Sequence, residues 1–171
     1  MKTNKKPVET KNIVLLILLF LISIGLTLYF CRWYQVIDQN KKSVPIIRGT
    51  LSEITNKELD DYLLENPTSI IYLCTSDSQQ CRNYEKDVKA YFVNSGLSES
   101  IIYVNLTNID QTKFIKKFNQ NYHYKTKLST NYPAIIYFAD GEIKDMIQGK
   151  KGNTLTLNRT KEFFKNNEIG E

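Results

Sequence analysis

The chain of 171 residues is poor in several residue types on which many enzymes depend. It has one histidine, His123, which excludes a Ser-His-Asp triad and any metal site built on several histidines. Its seven glycines are scattered and form no phosphate-binding loop. Its three cysteines include no Cys-x-x-Cys pair. We therefore expect neither a metal site nor a cofactor.

The net charge of +5 is concentrated at the N-terminus, so the rest of the chain carries little excess charge. Four lysines and one glutamate give the first twelve residues a charge of +3, which leaves +2 for the remainder. A body of this charge, with its signs interspersed, lacks the basic surface by which proteins bind nucleic acid. No nucleic-acid partner is expected.

A long uncharged segment follows the basic tail. Residues 13–31 contain no charged side chain, and a helix of this length crosses a bilayer. Trp33 and Tyr34 belong to an aromatic cluster at its far end, as in an interfacial belt. No small-x-small cleavage site follows, which disfavours a signal peptide. We predict an uncleaved, single-pass anchor in the cell membrane over residues 13–34.

The positive-inside rule gives the orientation and the remaining domain limits. Residues 1–12 are predicted to be a cytoplasmic basic tail, because the lysines precede the span. Lys41 and Lys42 follow the span and count against this orientation, because they add positive charge on its other side. Residues 35–49 are predicted to be a stalk, and residues 50–171 an extracytoplasmic domain.

Hydrophobic periodicity in the last 120 or so residues predicts an α/β domain with the order β-α-β-α-β-α-β-β-α. Thr55 and Glu58 form a capping box at the first predicted helix, and Asp140-Gly141 predicts a two-residue hairpin turn. Predicted strands lie at about 48–54, 69–74, 101–106, 133–138 and 142–147, and predicted helices at about 55–66, 78–94, 110–120 and 155–166.

The segment 69–82 carries the most distinctive local pattern. An uncharged run typical of a central, doubly covered strand leads into a polar turn and then into a helix that begins near Cys81. Ser76 and Gln79 have the spacing of a capping box for that helix. A cysteine in the first turn of a helix is placed where the backbone N–H groups favour a thiolate.

The element order, Cys81 on the helix after the central strand, Tyr132-Pro133 before the fourth strand and a glycine turn after the hairpin together resemble the thioredoxin family. The resemblance covers about residues 50–167 and implies a thioredoxin-like fold, in which helices flank a central mixed sheet. It also implies that Pro133 is a cis-proline. With its predicted membrane anchor and its many lysines and asparagines, the chain resembles Gram-positive thioredoxin-like proteins, including the bacteriocin transport accessory group.

The chain departs from the family at its redox motif. Placing the second family cysteine on Cys81 puts Ser78 where the first, attacking cysteine stands, and a serine hydroxyl takes no part in thiol–disulfide exchange. Tyr72 occupies a strand position where many thioredoxins carry a buried acid. Both departures count against an ordinary dithiol reductase.

Cys74 leaves three interpretations of the cysteines open. It ends the predicted strand, and two cysteines outside the membrane favour a disulfide over free thiols. Such a bond with Cys81 is either structural or redox-active, and it requires Cα atoms within about 7 Å. In the third interpretation, Cys81 is a small core residue beside Tyr84 and Val88.

Two functions follow from these alternatives. In the first, the domain is an accessory module that binds or assists a secreted polypeptide, with Ser78, Tyr132 and Pro133 lining the groove for the partner. Tyr132 alternatively only packs in the core. In the second, the domain is a thiol–disulfide oxidoreductase with Cys81 as the catalytic thiol and Cys74 as its partner. A protein or peptide partner and the membrane are expected in both.

Overall fold

The structure is a computed structural model that describes residues 10–170. The chain divides into two units between Lys41 and Lys42. Most of the predicted basic tail, residues 1–12, lies outside the described residues. The described part of the first unit belongs to one helix, α1, which spans Thr10–Ser43 and ends just inside the second unit.

Helix α1 is the one described helix that is long and apolar enough to cross a membrane. Its apolar stretch is exposed on all sides. Cys31 lies on it as an exposed, free cysteine. The helix extends into the segment predicted to be a stalk, whose last residues include the buried Pro45 and Ile47.

The second unit contains five strands and four further α-helices in the predicted order. The strands are β1 (Ser52–Ile54), β2 (Ser69–Cys74), β3 (Ile101–Asn105), β4 (Ala134–Ala139) and β5 (Glu142–Gln148). The helices are α2 (Leu59–Glu65), α3 (Gln79–Asn94), α4 (Gln111–Asn121) and α5 (Leu157–Asn166).

The strands form one mixed sheet in the order β1-β3-β2-β4-β5. Strands β1, β2 and β3 run parallel, β4 is antiparallel to β2, and β5 is antiparallel to β4. All six residues of the central strand β2 are buried, which confirms the prediction of a doubly covered strand. This architecture is the thioredoxin-like α/β fold that the sequence resemblance implies.

Helices cover both faces of the sheet through aromatic contacts. On one face, Tyr72 of β2 packs on Tyr84 of α3, with ring centroids 5.9 Å apart. On the other, Tyr122 at the end of α4 packs on Phe138 of β4 at 5.3 Å. Cys74 lies two residues after Tyr72 and therefore on the same face as α3. The fold thus directs Cys74 toward the first turn of that helix.

Three local predictions differ from the structure. Helix α2 begins at Leu59 with Glu58 as its N-cap, so Thr55 does not cap it, although the backbone N–H of Thr55 donates to the Glu58 carboxylate at 2.7 Å. Strand β1 begins at Ser52 because the chain before it forms a turn in which Gly49 has a positive φ of 75°. The N-cap of α3 is Ser78 rather than Ser76. The Ser76 hydroxyl is instead 2.9 Å from the hydroxyl of Thr107, so a tertiary hydrogen bond replaces the predicted local one.

Candidate functional site

The predicted site residues lie around the turn between β2 and α3. Strand β2 ends at Cys74, and the polar turn that follows brings Ser78 to the start of α3. The Ser78 hydroxyl accepts a hydrogen bond from the backbone N–H of Cys81 at 3.4 Å. This serine therefore satisfies one of the free N–H groups at the helix N-terminus.

The structure joins Cys74 and Cys81 in a disulfide with a Cα–Cα distance of 5.9 Å. Cys81 is also buried in the core with Tyr84 and Val88, as the third interpretation expects, but it is bonded to Cys74 and is not a free thiol. The backbone N–H of Thr75 also points at the Cys81 sulfur, at 3.3 Å. The bond closes a short loop that contains the whole polar turn, and it ties the central strand to the first turn of α3.

Both cysteines of this disulfide have 0% exposed surface. Thiol–disulfide exchange begins when a thiolate attacks one of the two sulfurs, so the reaction depends on access to them. Here an attacking thiolate reaches neither sulfur unless the turn opens first. The burial of the bond therefore limits its reactivity in this conformation.

An open, polar groove lies beside the turn, with a cavity volume of about 300 Å³. We call it the Tyr132 groove. It is lined by Thr75, Asp77, Ser78, Gln80, Gln111, Thr130 and Tyr132. The structure thus brings the predicted groove residues Ser78 and Tyr132 together. Neither cysteine lines the groove.

Tyr132 and Pro133 are joined by a cis peptide bond, as the resemblance implies. Pro133 is buried and does not line the groove. Its carbonyl accepts a hydrogen bond from Gly149 at 2.9 Å. A side chain at Gly149 would place its Cβ 2.9 Å from the Asn131 carbonyl oxygen, so the close approach of the two backbones requires glycine there.

A second groove lies on the other side of the segment that precedes Pro133, and we call it the basic groove. Its lining includes Lys150, Lys151 and Arg159, together with Ser129 and Asn131. Thr130 and Tyr132 line the Tyr132 groove, so successive residues of this segment face alternate grooves. The two grooves differ in charge, since Asp77 is the only charged residue that lines the Tyr132 groove.

A buried acid on α3 is part of the same region, and the sequence analysis missed it. Glu85 has 0% exposed surface and lies one helical turn after Cys81. Its carboxylate accepts the backbone N–H groups of Ile46 and Ile47, at 2.7 and 3.3 Å, and the hydroxyl of Tyr72 at 3.3 Å. Burial raises the pKa of Glu85, although these three donors favour its charged form. The sequence did contain a signal for this buried acid, because Glu85 lies on the same face of α3 as the apolar residues Tyr84 and Val88.

The segment that Glu85 binds is also held by two cations of the same helix. Arg82 donates to the carbonyl oxygens of Val44 at 2.9 Å and of Ser76 at 3.3 Å. Lys89 donates to the carbonyl oxygen of Ile46 at 3.2 Å. Because these side chains follow one another along a single face of α3, the chain that enters the domain is fixed beside the turn that carries the disulfide.

Among residues 10–170 there is no group of three or more His, Cys, Asp or Glu side chains placed to hold a metal ion. The arrangement offers a buried disulfide, an open polar groove and a buried carboxylate.

No protein-family model matches the sequence. No curated protein matches it either.

The chain is similar in structure to several thioredoxins. Oxidised thioredoxin O2 from Arabidopsis thaliana has a TM-score of 0.49 and 16% identity, over 70% of this chain and 95% of the other. Thioredoxin from Fasciola hepatica has a TM-score of 0.47 and 16% identity, over 68% and 98% of the two chains. Thioredoxin from Aeropyrum pernix has a TM-score of 0.41 and 13% identity, over 66% and 83%. At these identities the similarity concerns the fold alone.

Proposed function

We propose that the domain is a tethered module that binds an extended segment of another polypeptide, and that its disulfide is a structural bond. One contrast carries this proposal: the two cysteines are fully buried, while the groove beside them is open. Ser78 lines that groove at the position of the attacking cysteine in thioredoxins, and its hydroxyl caps α3. A site of this kind retains a surface for a polypeptide and lacks an exposed nucleophile.

The tether in this proposal is helix α1, with residues 13–34 as a single-pass anchor in the cell membrane and residues 35–49 as the connecting segment. The apolar length of the helix and the aromatic residues at its end support this assignment. The proposed orientation keeps residues 1–12 in the cytoplasm and the domain outside. A disulfide in the domain supports it, because such bonds persist in oxidising compartments.

The proposed role is that of an accessory protein that assists a secreted or exported polypeptide. It rests on the resemblance of the anchored chain to Gram-positive thioredoxin-like proteins, including the bacteriocin transport accessory group. Such a role needs reversible binding of unfolded segments and no chemical step. The lining of the Tyr132 groove suits it, because hydroxyl and amide groups bind a polypeptide through hydrogen bonds.

A permanently unfolded polypeptide tests this function. Reduced and carboxymethylated α-lactalbumin is expected to bind the full chain in lipid nanodiscs. Thr130→Trp fills the Tyr132 groove from an exposed position and is expected to weaken this binding about tenfold, because a bulky side chain occupies the space for the ligand. The dissociation constants are measured by microscale thermophoresis.

Gln120→Trp is the matched control, because Gln120 is an exposed residue of α4 that does not line the groove. It is expected to leave the dissociation constant unchanged. Equal weakening by both tryptophan variants would mean that the groove is not the binding site. An absence of binding by the unsubstituted protein would overturn the proposed function itself.

The second candidate function is a thiol–disulfide oxidoreductase that uses Cys81 and Cys74. One contact favours it: the Thr75 N–H that points at the Cys81 sulfur would also stabilise a Cys81 thiolate after reduction. Reduction would transfer two electrons from a donor dithiol, which would itself become a disulfide, and would leave Cys74 and Cys81 as thiols. The turn would have to open before the donor could attack.

We expect the disulfide of the native protein to react with dithiothreitol roughly a hundred times more slowly than that of the unfolded protein, because both sulfurs are buried. The rate is followed by maleimide labelling in a Cys31→Ser background, which removes the exposed free thiol. Equal rates in native and denaturing buffer, with a reduction potential above about −270 mV, would favour the oxidoreductase instead.

A further inference from the structure

The basic groove concentrates positive charge in a cavity of about 270 Å³. Lys150, Lys151 and Arg159 line it, and its lining contains no acidic residue. None of these three cations forms an ion pair within residues 10–170. Like charges in one groove repel each other, so the arrangement lowers the stability of the fold unless an anion from outside offsets the repulsion.

The position of Arg159 adds to this cost. It lies in the first turn of α5, where a cation opposes the helix dipole, and that turn contains no acidic residue. Breaches of a local rule that the fold does not compensate are typical of functional positions. A bound anion therefore explains the three cations better than the stability of the domain does.

Hydrogen bonds between its walls hold the basic groove in shape. The side-chain oxygen of Gln148 accepts from the backbone N–H of Ser129 at 3.0 Å, and its amide group donates to the carbonyl oxygen of Lys127 at 2.9 Å. Two backbone hydrogen bonds between Lys150 and Asn153, at 2.8 and 2.9 Å, close the turn that carries both lysines. A groove that is formed before binding needs little ordering when a ligand enters.

The rest of the lining favours an acid that belongs to a polypeptide over a free inorganic anion. It includes the apolar residues Met146 and Ile147 from the end of β5. An inorganic anion has no apolar surface to bury against them. The methylene groups of a glutamate side chain and the apolar neighbours of an acid in a polypeptide do.

The basic groove is also continuous with the groove proposed to bind a polypeptide. Successive residues of the segment before Pro133 line the two grooves in alternation. A polypeptide in the Tyr132 groove therefore reaches the basic groove by crossing this one short segment.

We propose that the basic groove binds acidic side chains of the polypeptide segment, with Lys150, Lys151 and Arg159 as their charge partners. This inference rests on the proposed polypeptide-binding function and adds the class of segment that is recognised, an acidic one. A guanidinium group offers paired N–H donors to a carboxylate, and each ammonium group offers a point charge. Asp77 repels an acid from the Tyr132 groove, which directs the acidic part of the segment to the basic groove.

Three blocked heptapeptides test the inference with the full chain in phosphatidylcholine nanodiscs. They share the sequence acetyl-Gly-Val-X-Val-X-Val-Gly-amide, in which both X residues are glutamate, glutamine or lysine. Side chains two residues apart lie on the same side of an extended peptide, so both X side chains reach one groove together. The glutamate peptide is expected to bind about ten times more tightly than the glutamine peptide, and the lysine peptide most weakly. Titration calorimetry gives the dissociation constants.

Salt provides a second measurement on the same peptides. In about 1 M sodium chloride the preference for glutamate over glutamine is expected to fall to about twofold, because the charges are screened beyond about 3 Å. A preference that is unchanged by salt would mean that charge does not cause it, and it would contradict the assigned partners.

Two variants assign the preference to the groove. The triple variant Lys150→Gln, Lys151→Gln, Arg159→Gln is expected to bind the glutamate and glutamine peptides equally, because it removes all the charge partners. It is expected to keep its melting temperature, since none of the three cations has an ion-pair partner within residues 10–170. The double variant Lys150→Arg, Lys151→Arg retains the charges and is expected to retain the preference.

A matched control makes the same change in net charge outside the groove. It neutralises one arginine and two lysines at exposed positions that do not line the basic groove, as Arg48→Gln, Lys86→Gln, Lys116→Gln. This control is expected to keep the preference for glutamate. Equal loss of preference in the control and in the groove variant would mean that only the overall charge of the protein matters, and it would overturn the inference.

The remaining outcomes separate this inference from the function on which it rests. Equal affinity for all three peptides would overturn the acidic preference and leave the binding function in place. The same holds if no peptide binds while unfolded α-lactalbumin does. Phosphatidylglycerol vesicles that bind wild type but not the triple groove variant, together with equal affinity for the peptides, would assign the groove to a lipid surface instead. If neither the peptides nor α-lactalbumin binds, both proposals fall.

Discussion

Removal of the Cys74–Cys81 disulfide is expected to lower the free energy of unfolding by about 3 kcal/mol. The bond destabilises the unfolded chain by about 2.5 kcal/mol, because closing so short a loop lowers its conformational entropy. The double variant Cys74→Ala, Cys81→Ala also loses the packing of two buried sulfur atoms. The measurement is urea unfolding of the full chain in detergent. The near-ultraviolet circular dichroism of the buried tyrosines reports on the domain alone.

Two comparisons identify the cause of this loss. Cys31→Ser is expected to leave the free energy of unfolding unchanged, because Cys31 is exposed and unbonded. Chemically reduced wild type keeps its sulfur atoms and is expected to lose only the loop-closure part, about 2.5 kcal/mol. A double variant within about 0.5 kcal/mol of the oxidised wild type would contradict a structural role for the bond.

Replacement of Glu85 by leucine is expected to lower the free energy of unfolding by about 3 kcal/mol. Leucine fills the space but leaves the N–H groups of Ile46 and Ile47 and the hydroxyl of Tyr72 without their acceptor. The two N–H groups belong to the backbone and have no means of leaving the site by a change of rotamer. Urea unfolding at neutral pH measures the loss.

Glu85→Gln is the control, because its amide oxygen accepts from the N–H groups of Ile46 and Ile47 without a charge, while its NH2 group donates to the Tyr72 hydroxyl instead of accepting from it. It is expected to be less destabilising than the leucine variant and to change the pH dependence of stability. Burial holds the pKa of Glu85 above its ordinary value of 4.5, so the folded protein binds a proton more tightly than the unfolded chain. The contribution of this raised pKa to stability is complete below pH 4.5 and declines as the pH rises through the pKa of Glu85 in the folded protein.

Wild type should therefore lose stability relative to Glu85→Gln as the pH is raised from 4.5. An identical pH dependence for the two proteins would show that the carboxyl titrates in the same way folded and unfolded. A leucine variant as stable as wild type would mean that water or another group replaces the acceptor.

The sequence was sufficient for the order of the elements, because each element has its own local signal. The uncharged run of β2 predicted a strand covered on both faces, and all its residues are buried. Asp140-Gly141 predicted the turn between β4 and β5, where both residues have positive φ angles. The resemblance to thioredoxins added a central mixed sheet flanked by helices, which the structure has, while the order of the strands in it was not predicted.

The site was only partly predictable, because its main features depend on contacts between distant segments. The spacing of Cys74 and Cys81 allowed a disulfide, but the distance between them is set by the packing of α3 on β2. Ser76 had a good capping pattern, yet Thr107, 31 positions away, binds its hydroxyl. The acceptor role of Glu85 depends on Ile46, 39 positions away. No local pattern contains such pairs.

The contacts of the entering chain have a mechanical consequence for a tethered domain. If a partner held in the groove pulls the domain away from the membrane, tension along the chain first reaches residues 44–47, which α3 holds through Arg82, Glu85 and Lys89. From α3 the load passes to β2 through a covalent bond, the disulfide. In the proposed arrangement, such tension would load α3 and the central strand β2 before the short edge strand β1.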